Sequence, residues 1–132
     1  MCSEWDGEDI KYPIMEYDSR GNLIFDKWNK TQWVKYEYDV NDNLIYELWY
    51  NNYWVKYEYN ELNQNIFYIN STGIWIKYKY DSNGRVIYKE QSDGIGFVCE
   101  YDNLGNRLWL MDIKQWKQIH IRNNIIDSIL SD

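Results

Sequence analysis

Apolar and polar residues alternate in short runs along most of the chain, and clusters of Gly, Asn and Asp separate these runs. The run from Trp54 to Tyr59, Trp-Val-Lys-Tyr-Glu-Tyr, is an example. Such alternation, with many aromatic and β-branched residues, is typical of strands that bury one face. Ala, the best helix former, is absent from the sequence. The pattern therefore predicts an all-β protein.

The runs recur with a period of 21 residues. Each unit contains two alternating runs, which predicts one β-hairpin per unit and five hairpins in all. An Asp or Asn follows a tyrosine at the same point of each unit, and a bulky aliphatic residue lies seven positions after that tyrosine. The tyrosines are Tyr17, Tyr38, Tyr59, Tyr80 and Tyr101, and the aliphatic residues are Ile24, Ile45, Ile66, Ile87 and Leu108.

Two kinds of turn are predicted to join the strands. The turn after each repeated tyrosine favours a three-residue loop with a left-handed residue. The other turn, as at Asn51-Asn52, suits a two-residue type I′ loop. This second loop sets the expected cross-strand pairs, in which like rings or opposite charges meet. They are Trp28 with Trp33, Asp26 with Lys35, Trp49 with Trp54, and Glu47 with Lys56.

The same register predicts one nearly apolar face and one mixed face. The apolar face, expected to be the core, carries Val34, Tyr36, Tyr38, Leu44, Tyr46 and Leu48. The mixed face, expected to meet water, carries Trp33, Lys35, Glu37, Ile45, Glu47 and Trp49.

The expected fold is an antiparallel meander of about eleven strands, from Tyr12 to Ile121. A sheet this wide tends to curl, so we expect it to roll into a barrel-like sheet or to stack on a second copy as a homodimer. Residues 115–121 are predicted as a further strand, whereas residues 125–130 fit a strand or, preferably, a short capping helix. The expected division is residues 1–11 as an N-terminal tail, 12–111 as the hairpin repeats and 112–132 as a C-terminal cap.

The repeated unit resembles the tyrosine-aspartate repeat, also called the YD or RHS repeat. The resemblance rests on Tyr-Asp-x-x-Gly-Asn-Leu-Ile at residues 17–24 and on Tyr-Asp-Ser-Asn-Gly-Arg-Val at residues 80–86, and it departs from the motif at residues 60–64. In large family members the repeats form a long sheet that spirals into a shell around a toxin. For a short chain the resemblance implies the sheet without the shell. Small stand-alone members look like bacterial or phage accessory proteins, which suggests inhibition or immunity by direct protein binding.

Charge and composition narrow the range of functions. A net charge of −7 argues against a nucleic-acid ligand and favours a protein partner with a basic surface. We expect no membrane span, and without a signal-peptide pattern at the N-terminus a cytoplasmic location is expected. No metal, cofactor or nucleophile motif is present, His120 is the only histidine, and the recurring glutamates fit a charge-paired face better than a catalytic pair. The sequence therefore predicts a protein that is not an enzyme and carries no cofactor or metal.

The preferred function is a non-enzymatic protein-binding module of the inhibitor or immunity type. Two alternatives stay open: a glycan or cell-wall-binding module that uses exposed tryptophans as platforms, and self-assembly through edge strands. The tryptophans could also serve only as structural clamps between strands. The partner-binding candidates are Trp28, Trp33, Trp49, Trp54, Trp75, Glu37, Glu47 and Glu58.

Overall fold

A computed structural model describes residues 10–130, with side chains described to residue 124, and within this range the chain forms ten strands and one helix. The expected N-terminal tail lies almost wholly outside the described residues. The strands are β1 (Ile14–Tyr17), β2 (Leu23–Lys27), β3 (Trp33–Tyr38), β4 (Leu44–Trp49), β5 (Trp54–Tyr59), β6 (Asn65–Asn70), β7 (Trp75–Tyr80), β8 (Val86–Gln91), β9 (Gly96–Tyr101) and β10 (Arg107–Asp112). The helix is α1 (Ile113–Leu130).

The chain divides into two compact units, residues 1–72 and 73–132. In the first unit β1 to β6 form an antiparallel meander, and in the second β7 to β10 form another, followed by α1. Among the described strands β1 pairs only with β2 and β10 only with β9, so the sheet is open and is not a closed barrel. The predicted antiparallel meander with a C-terminal helix is confirmed.

The turns that follow the repeated tyrosines have the predicted form. In the second of them the Asp39 N–H donates to the Asn43 carbonyl at 2.9 Å, which leaves a three-residue loop. The third loop residue is left-handed in every repeat, with φ between 62° and 88°; these residues are Gly21, Asp42, Asn63, Gly84 and Gly105. The sequence therefore identified this turn and its left-handed position correctly.

The other turns are longer than predicted. The Trp49 N–H donates to the Tyr53 carbonyl at 2.8 Å, so three residues rather than two lie between the paired positions. A type I′ loop needs two left-handed residues, but of Asn51 and Asn52 only Asn52 has a positive φ, of 70°. The added residue moves the register by one, and the expected tryptophan and charge pairs are wrong. The observed pairs are Tyr46 with Lys56, Glu47 with Val55, Leu48 with Trp54, Phe25 with Lys35, Asp26 with Val34, and Lys27 with Trp33.

A β-bulge repeated in each of the five hairpins also changes the predicted faces. Between β3 and β4, Glu37 pairs with Tyr46 and Tyr38 pairs with Leu44, so Ile45 is the extra residue. The same position is skipped in every hairpin: Ile24, Ile45, Ile66, Ile87 and Leu108. A bulge places one residue more on one strand than on its partner. The predicted sorting is therefore right for β3 but wrong for the part of β4 beyond the bulge.

The corrected register defines two faces of the first unit, since directly paired residues project from the same side of a sheet. The tyrosine face carries Asp26, Val34, Tyr36, Tyr38, Glu47, Trp49, Val55, Tyr57, Tyr59 and Tyr68. The charged face carries Glu16, Phe25, Lys27, Trp33, Lys35, Glu37, Tyr46, Leu48, Trp54, Lys56, Glu58, Phe67 and Ile69.

Burial is sparse in the first unit and concentrated under the helix in the second. Among the described residues of the first unit only Val34, Val55 and Asn70 are buried, and the rings of the tyrosine face are half-buried. The expected apolar core face is therefore a half-buried surface. In the second unit Tyr88, Val98 and Ile113 form a buried cluster, against which Trp116 packs.

The C-terminal helix begins earlier than the sequence predicted. The Asp112 carboxylate accepts hydrogen bonds from the backbone N–H groups of Lys114 (2.9 Å) and Gln115 (3.4 Å), which caps the first turn. Residues 115–121 are helical, and the expected strand there is wrong. Between residues 113 and 121 the buried or half-buried residues are Ile113, Trp116 and Ile119, and their spacing of three is that of a helix face. The prediction from the sequence had interpreted the apolar residues of this stretch as strand alternation.

Candidate functional site

The eight candidate residues do not form one surface. Four of them share the charged face of the first unit, three lie on its tyrosine face, and Trp75 begins β7 in the second unit. The four on the charged face are Trp33, Glu37, Trp54 and Glu58. The three on the tyrosine face are Trp28, Glu47 and Trp49.

The tryptophans make different pairs from those expected. The Trp28 ring meets the Trp49 ring edge to face, with centroids 5.9 Å apart, and it meets Tyr50 at 6.3 Å. Trp33 instead approaches Phe25 on the charged face, at 6.2 Å. The ring cluster of Trp28, Trp49 and Tyr50 thus joins two successive repeats instead of clamping each hairpin.

Lysine ammonium groups lie over the tryptophans of the charged face. The distance from Nζ to the ring centroid is 5.2 Å for Lys35 over Trp33 and 5.0 Å for Lys56 over Trp54. Lys56 also lies 5.8 Å from the Tyr46 ring. These cation–π contacts occupy Lys35 and Lys56; Lys27, which pairs with Trp33, is a third lysine of this face.

Two depressions on the charged face repeat the same surface. Their volumes are about 640 and 700 Å³, and each lining residue of the second lies 21 positions after a lining residue of the first. Glu37 and Tyr46 line both. The floor of the first includes Phe25, Tyr46 and Leu48, and that of the second includes Tyr46, Phe67 and Ile69.

Carboxylates edge these depressions without neutralising partners. Glu16 and Glu37 line the first, and Glu37 and Glu58 line the second; all three are exposed. Within residues 10–124, no ion pair or hydrogen bond involves their side chains. The two lysines that line the depressions, Lys35 and Lys56, therefore lie over aromatic rings, whereas the glutamates at the edges have no partner within residues 10–124.

On the tyrosine face the hydroxyl groups mainly hold neighbouring strands together. The Tyr38 hydroxyl donates to the Leu23 carbonyl at 2.8 Å and the Tyr59 hydroxyl to the Leu44 carbonyl at 2.7 Å, so these two repeated tyrosines each tie their strand to the hairpin before it. Burial, with the nearby Glu47 carboxylate, raises the pKa of Tyr57 to about 12. These hydroxyls are poor acids and suit hydrogen bonding better than proton transfer.

The repeated aspartate holds the turn. The Asp39 carboxylate accepts from the backbone N–H groups of Asn41 and Asn43, both at 2.9 Å, and from the Asn43 side chain at 3.1 Å. The backbone N–H of Asn43, followed by the side-chain donor and the other amide, lowers the pKa of Asp39. Equivalent bonds occur at each of the other repeats, where Asn60 stands in for Asp in one: Asp18, Asn60, Asp81 and Asp102.

The described residues supply little that is typical of catalysis. His120 lies on α1, not on the expected strand, and its ring contacts Trp116 at 3.8 Å. No cluster of three metal-ligating side chains occurs among the described residues, and no helix among them combines the length and apolarity needed to cross a bilayer. Cys99 is a buried free thiol; Cys2 lies outside the described residues.

The second unit differs from the first at the positions that line the depressions. Residues 96–99, Gly-Phe-Val-Cys, replace the Trp-Val-Lys-Tyr of residues 33–36 and 54–57. Helix α1 packs against β9 and β10 there, with Ile113 buried beside Val98. Sequence reasoning missed this helix-docking site, although the loss of Trp and Lys from the repeat was a visible signal.

Comparison with known proteins shows the fold. No protein-family profile and no curated protein sequence matches the chain. It is similar to part of a chain in the Photorhabdus luminescens Tc holotoxin pore with the TccC3 D651A mutation (TM-score 0.62, 19% identity) and in the TcdB2–TccC3–Cdc42 crystal structure (TM-score 0.63, 19% identity). Each match covers 75% of this chain and only 5% of the other. The repeated hairpin sheet is therefore a fold that also occurs within these much longer toxin-complex chains.

Proposed function

We propose that the protein is a short YD-type repeat protein that binds another protein through the charged face of its first unit. The observation that carries this proposal is the pair of equivalent depressions, each edged by glutamates that have no ion-pair partner among the described residues. A carboxylate with no internal partner is available to a basic side chain of another protein, and complementary charge increases the association rate and the specificity. The 21-residue repeat motif and the fold likeness to toxin-complex chains support the YD assignment.

The partner chemistry follows from which charges are free. Lys35 and Lys56 are held over aromatic rings, whereas Glu16, Glu37 and Glu58 form no ion pair within the part of the chain that the structure describes. The partner is therefore a protein with lysine or arginine on its contact surface, and the net charge of −7 attracts such a partner over a longer range. Neutralising or blocking that surface is an inhibitor or immunity type of function.

Protein binding is preferred to glycan binding because of the environment of the tryptophans. A sugar platform needs an open ring face, but an ammonium group lies 5.2 Å over Trp33 and 5.0 Å over Trp54. A sugar would have to displace both lysines. The floors of the depressions, in contrast, are apolar and half-buried, as in the centre of a protein interface.

Capture with a zero-length carbodiimide crosslinker tests the proposal, because this reagent joins a carboxylate to a lysine amine at direct contact. We expect lysate proteins to crosslink at Glu37 and Glu58, with capture that weakens as salt is raised. The double variant Glu37→Lys/Glu58→Lys should lose this capture. Glu61→Lys changes the charge in the same sense at an exposed turn position and should retain it. Equal capture by both variants would contradict the proposed face.

A further inference from the structure

The C-terminal helix already occupies one copy of the repeated surface. In the second unit Ile113 is 1% exposed and lies in a cluster with Tyr88 and Val98. The Trp116 ring meets the Tyr88 ring edge to face at a centroid distance of 5.8 Å, and the Lys117 ammonium pairs with the Glu90 carboxylate. Helix α1 thus docks on this surface through apolar and aromatic residues, with one basic residue beside them.

The residues under α1 correspond by repeat position to residues that line the depressions of the first unit. Tyr88 lies 42 residues after Tyr46, which is two repeats of 21. By the same interval Val98 corresponds to Lys56, and Glu90 corresponds to Leu48. Tyr46, Leu48 and Lys56 all line the depressions. The surface that carries a helix in one unit is therefore left uncovered in the other.

We infer that the charged face of the first unit docks an amphipathic α-helix of the partner protein. This inference rests on the proposed function and specifies the partner's secondary structure. The helix presents apolar or aromatic residues at i, i+3 and i+4 to the floor formed by Phe25, Tyr46 and Leu48. It presents lysine or arginine on the flanks of that stripe, where Glu37 and Glu58 lie.

A helix suits this face better than an extended peptide does. The inner strands β2 to β5 are hydrogen-bonded on both sides, so their backbone offers an incoming strand no free partners. A helix satisfies its own backbone groups and binds through side chains alone. Its diameter of about 10 Å also matches the roughly 9.6 Å between equivalent strands of successive repeats.

Three synthetic peptides of identical composition test the helix. Each contains the same leucine, tryptophan, lysine and alanine residues; one orders them as an amphipathic helix, one scrambles them so that no stripe forms, and one keeps the helical order around a central proline. Each of the three peptides contains one proline in place of an alanine, so that their compositions are equal. The proline lies at the end of the first two peptides and in the middle of the third. We expect the uninterrupted amphipathic peptide to bind the full-length protein at least about tenfold more tightly than the other two by calorimetry.

Chemical-shift mapping and charge variants locate the binding. The shifts should concentrate on Tyr46, Leu48 and their neighbours on the charged face, and Glu37→Lys/Glu58→Lys should abolish them, whereas Glu61→Lys should not. Equal affinities for the three peptides, no binding, or shifts confined to the tyrosine face would overturn the helix inference. If carbodiimide capture at Glu37 and Glu58 succeeds in the same protein, the proposed function stands without the helix; if capture is independent of these residues, the proposed function itself fails.

Discussion

The two units differ in what covers equivalent positions of the repeat. In the second unit apolar Val98 stands where the first has Lys56, and the helix covers that surface. In the first unit the lysines stay on their aromatic neighbours, and the corresponding surface carries two open depressions. The two units therefore differ at fixed repeat positions, and the face that carries this chain's own helix in one unit is open in the other.

Removing the helix contact in the second unit has the largest expected effect. Ile113→Ala should cost about 2–5 kcal/mol of unfolding free energy, since it opens a cavity in a fully buried cluster. Val34→Ala, at a position equally buried in the first unit, removes fewer methyl groups and should cost less. Urea unfolding followed by circular dichroism measures both costs.

Hydrogen exchange separates the effects of these two variants by unit. Ile113→Ala should lower amide protection in α1 and β9, whereas Val34→Ala should lower it in β3 and β4. An Ile113→Ala protein with unchanged protection in α1 would show that this contact does not hold the helix, and the comparison between the units would lose its basis.

A side chain added at Gly96, where β8 and β9 lie close together, should cause the next largest loss of stability. Gly96 takes the repeat position of Trp33, Trp54 and Trp75. A Cβ atom there would lie 2.0 Å from the Lys89 backbone carbonyl oxygen, so the strand has to move. Gly96→Ala should therefore cost about 1–3 kcal/mol.

Thermal unfolding measures this cost against a neighbouring control. Ile95→Ala, at an exposed position, should change the stability by no more than about 0.5 kcal/mol. If Gly96→Ala were as stable as the unmodified protein, the departure from Trp at this position would need another explanation than backbone proximity.

The first unit offers a double-mutant test of its tryptophan cluster. Alanine substitutions of Trp28 and Trp49 should be coupled by about 0.5–1.5 kcal/mol, because their rings meet edge to face. Trp49 and Trp54 lie on opposite faces and should show no coupling beyond experimental error. Coupling of the second pair would restore the two-residue turn and the register first expected from the sequence.

The sequence predicted local geometry well where one residue controls it. The left-handed position after each repeated tyrosine follows from Gly, Asn or Asp at a fixed offset, and the structure has it at all five turns. The face of Tyr46 could not be obtained in this way, because it depends on the bulge at Ile45 and on the added loop residue, both of which follow from strand pairing. The local sequence also could not show that Glu37 lacks an ion-pair partner among the described residues. This depends on the directions that the Lys35 and Lys56 side chains take in the folded sheet.

The C-terminal segment shows a second limit of the sequence. Trp116, Ile119 and Ile121 fit a strand by local pattern. The helix depends on the Asp112 cap and on a tertiary surface at Tyr88 and Val98. Local pattern could not identify that surface, because the docking partners Tyr88 and Val98 lie 15 to 28 residues before Ile113 and Trp116 in the chain.

The smallest expected effect concerns the turn that both units share. The pKa of Asp39 is lowered, first by the backbone N–H of Asn43. Asp18, Asp81 and Asp102 have lowered pKa values for the same reason. The carboxylate is thus more acidic in the folded chain than in the unfolded chain, and its contribution is complete above the unfolded pKa of about 3.9. It is lost as the pH falls from about 4 through the lower folded value, so stability should decrease below about pH 4.

Exchanging Asp and Asn at this position tests whether the turn carboxylates cause that decrease. Asp39→Asn keeps a side-chain acceptor, as Asn60 does naturally, so its melting temperature should fall less steeply with acid than that of the unmodified protein. Asn60→Asp adds a carboxylate to the same arrangement and should make the fall steeper. Because Asp39 and Asn60 lie in the same unit at equivalent positions, opposite shifts in the two variants assign the effect to the repeated turn.

If the melting temperatures of all three proteins fell equally steeply with acid, the acid sensitivity would instead lie elsewhere, with Glu90 as the first group to test. Burial alone would raise the pKa of Glu90, but Lys117 and Tyr88 together lower it, so Lys117→Met should then reduce the acid sensitivity of the helix-covered unit alone.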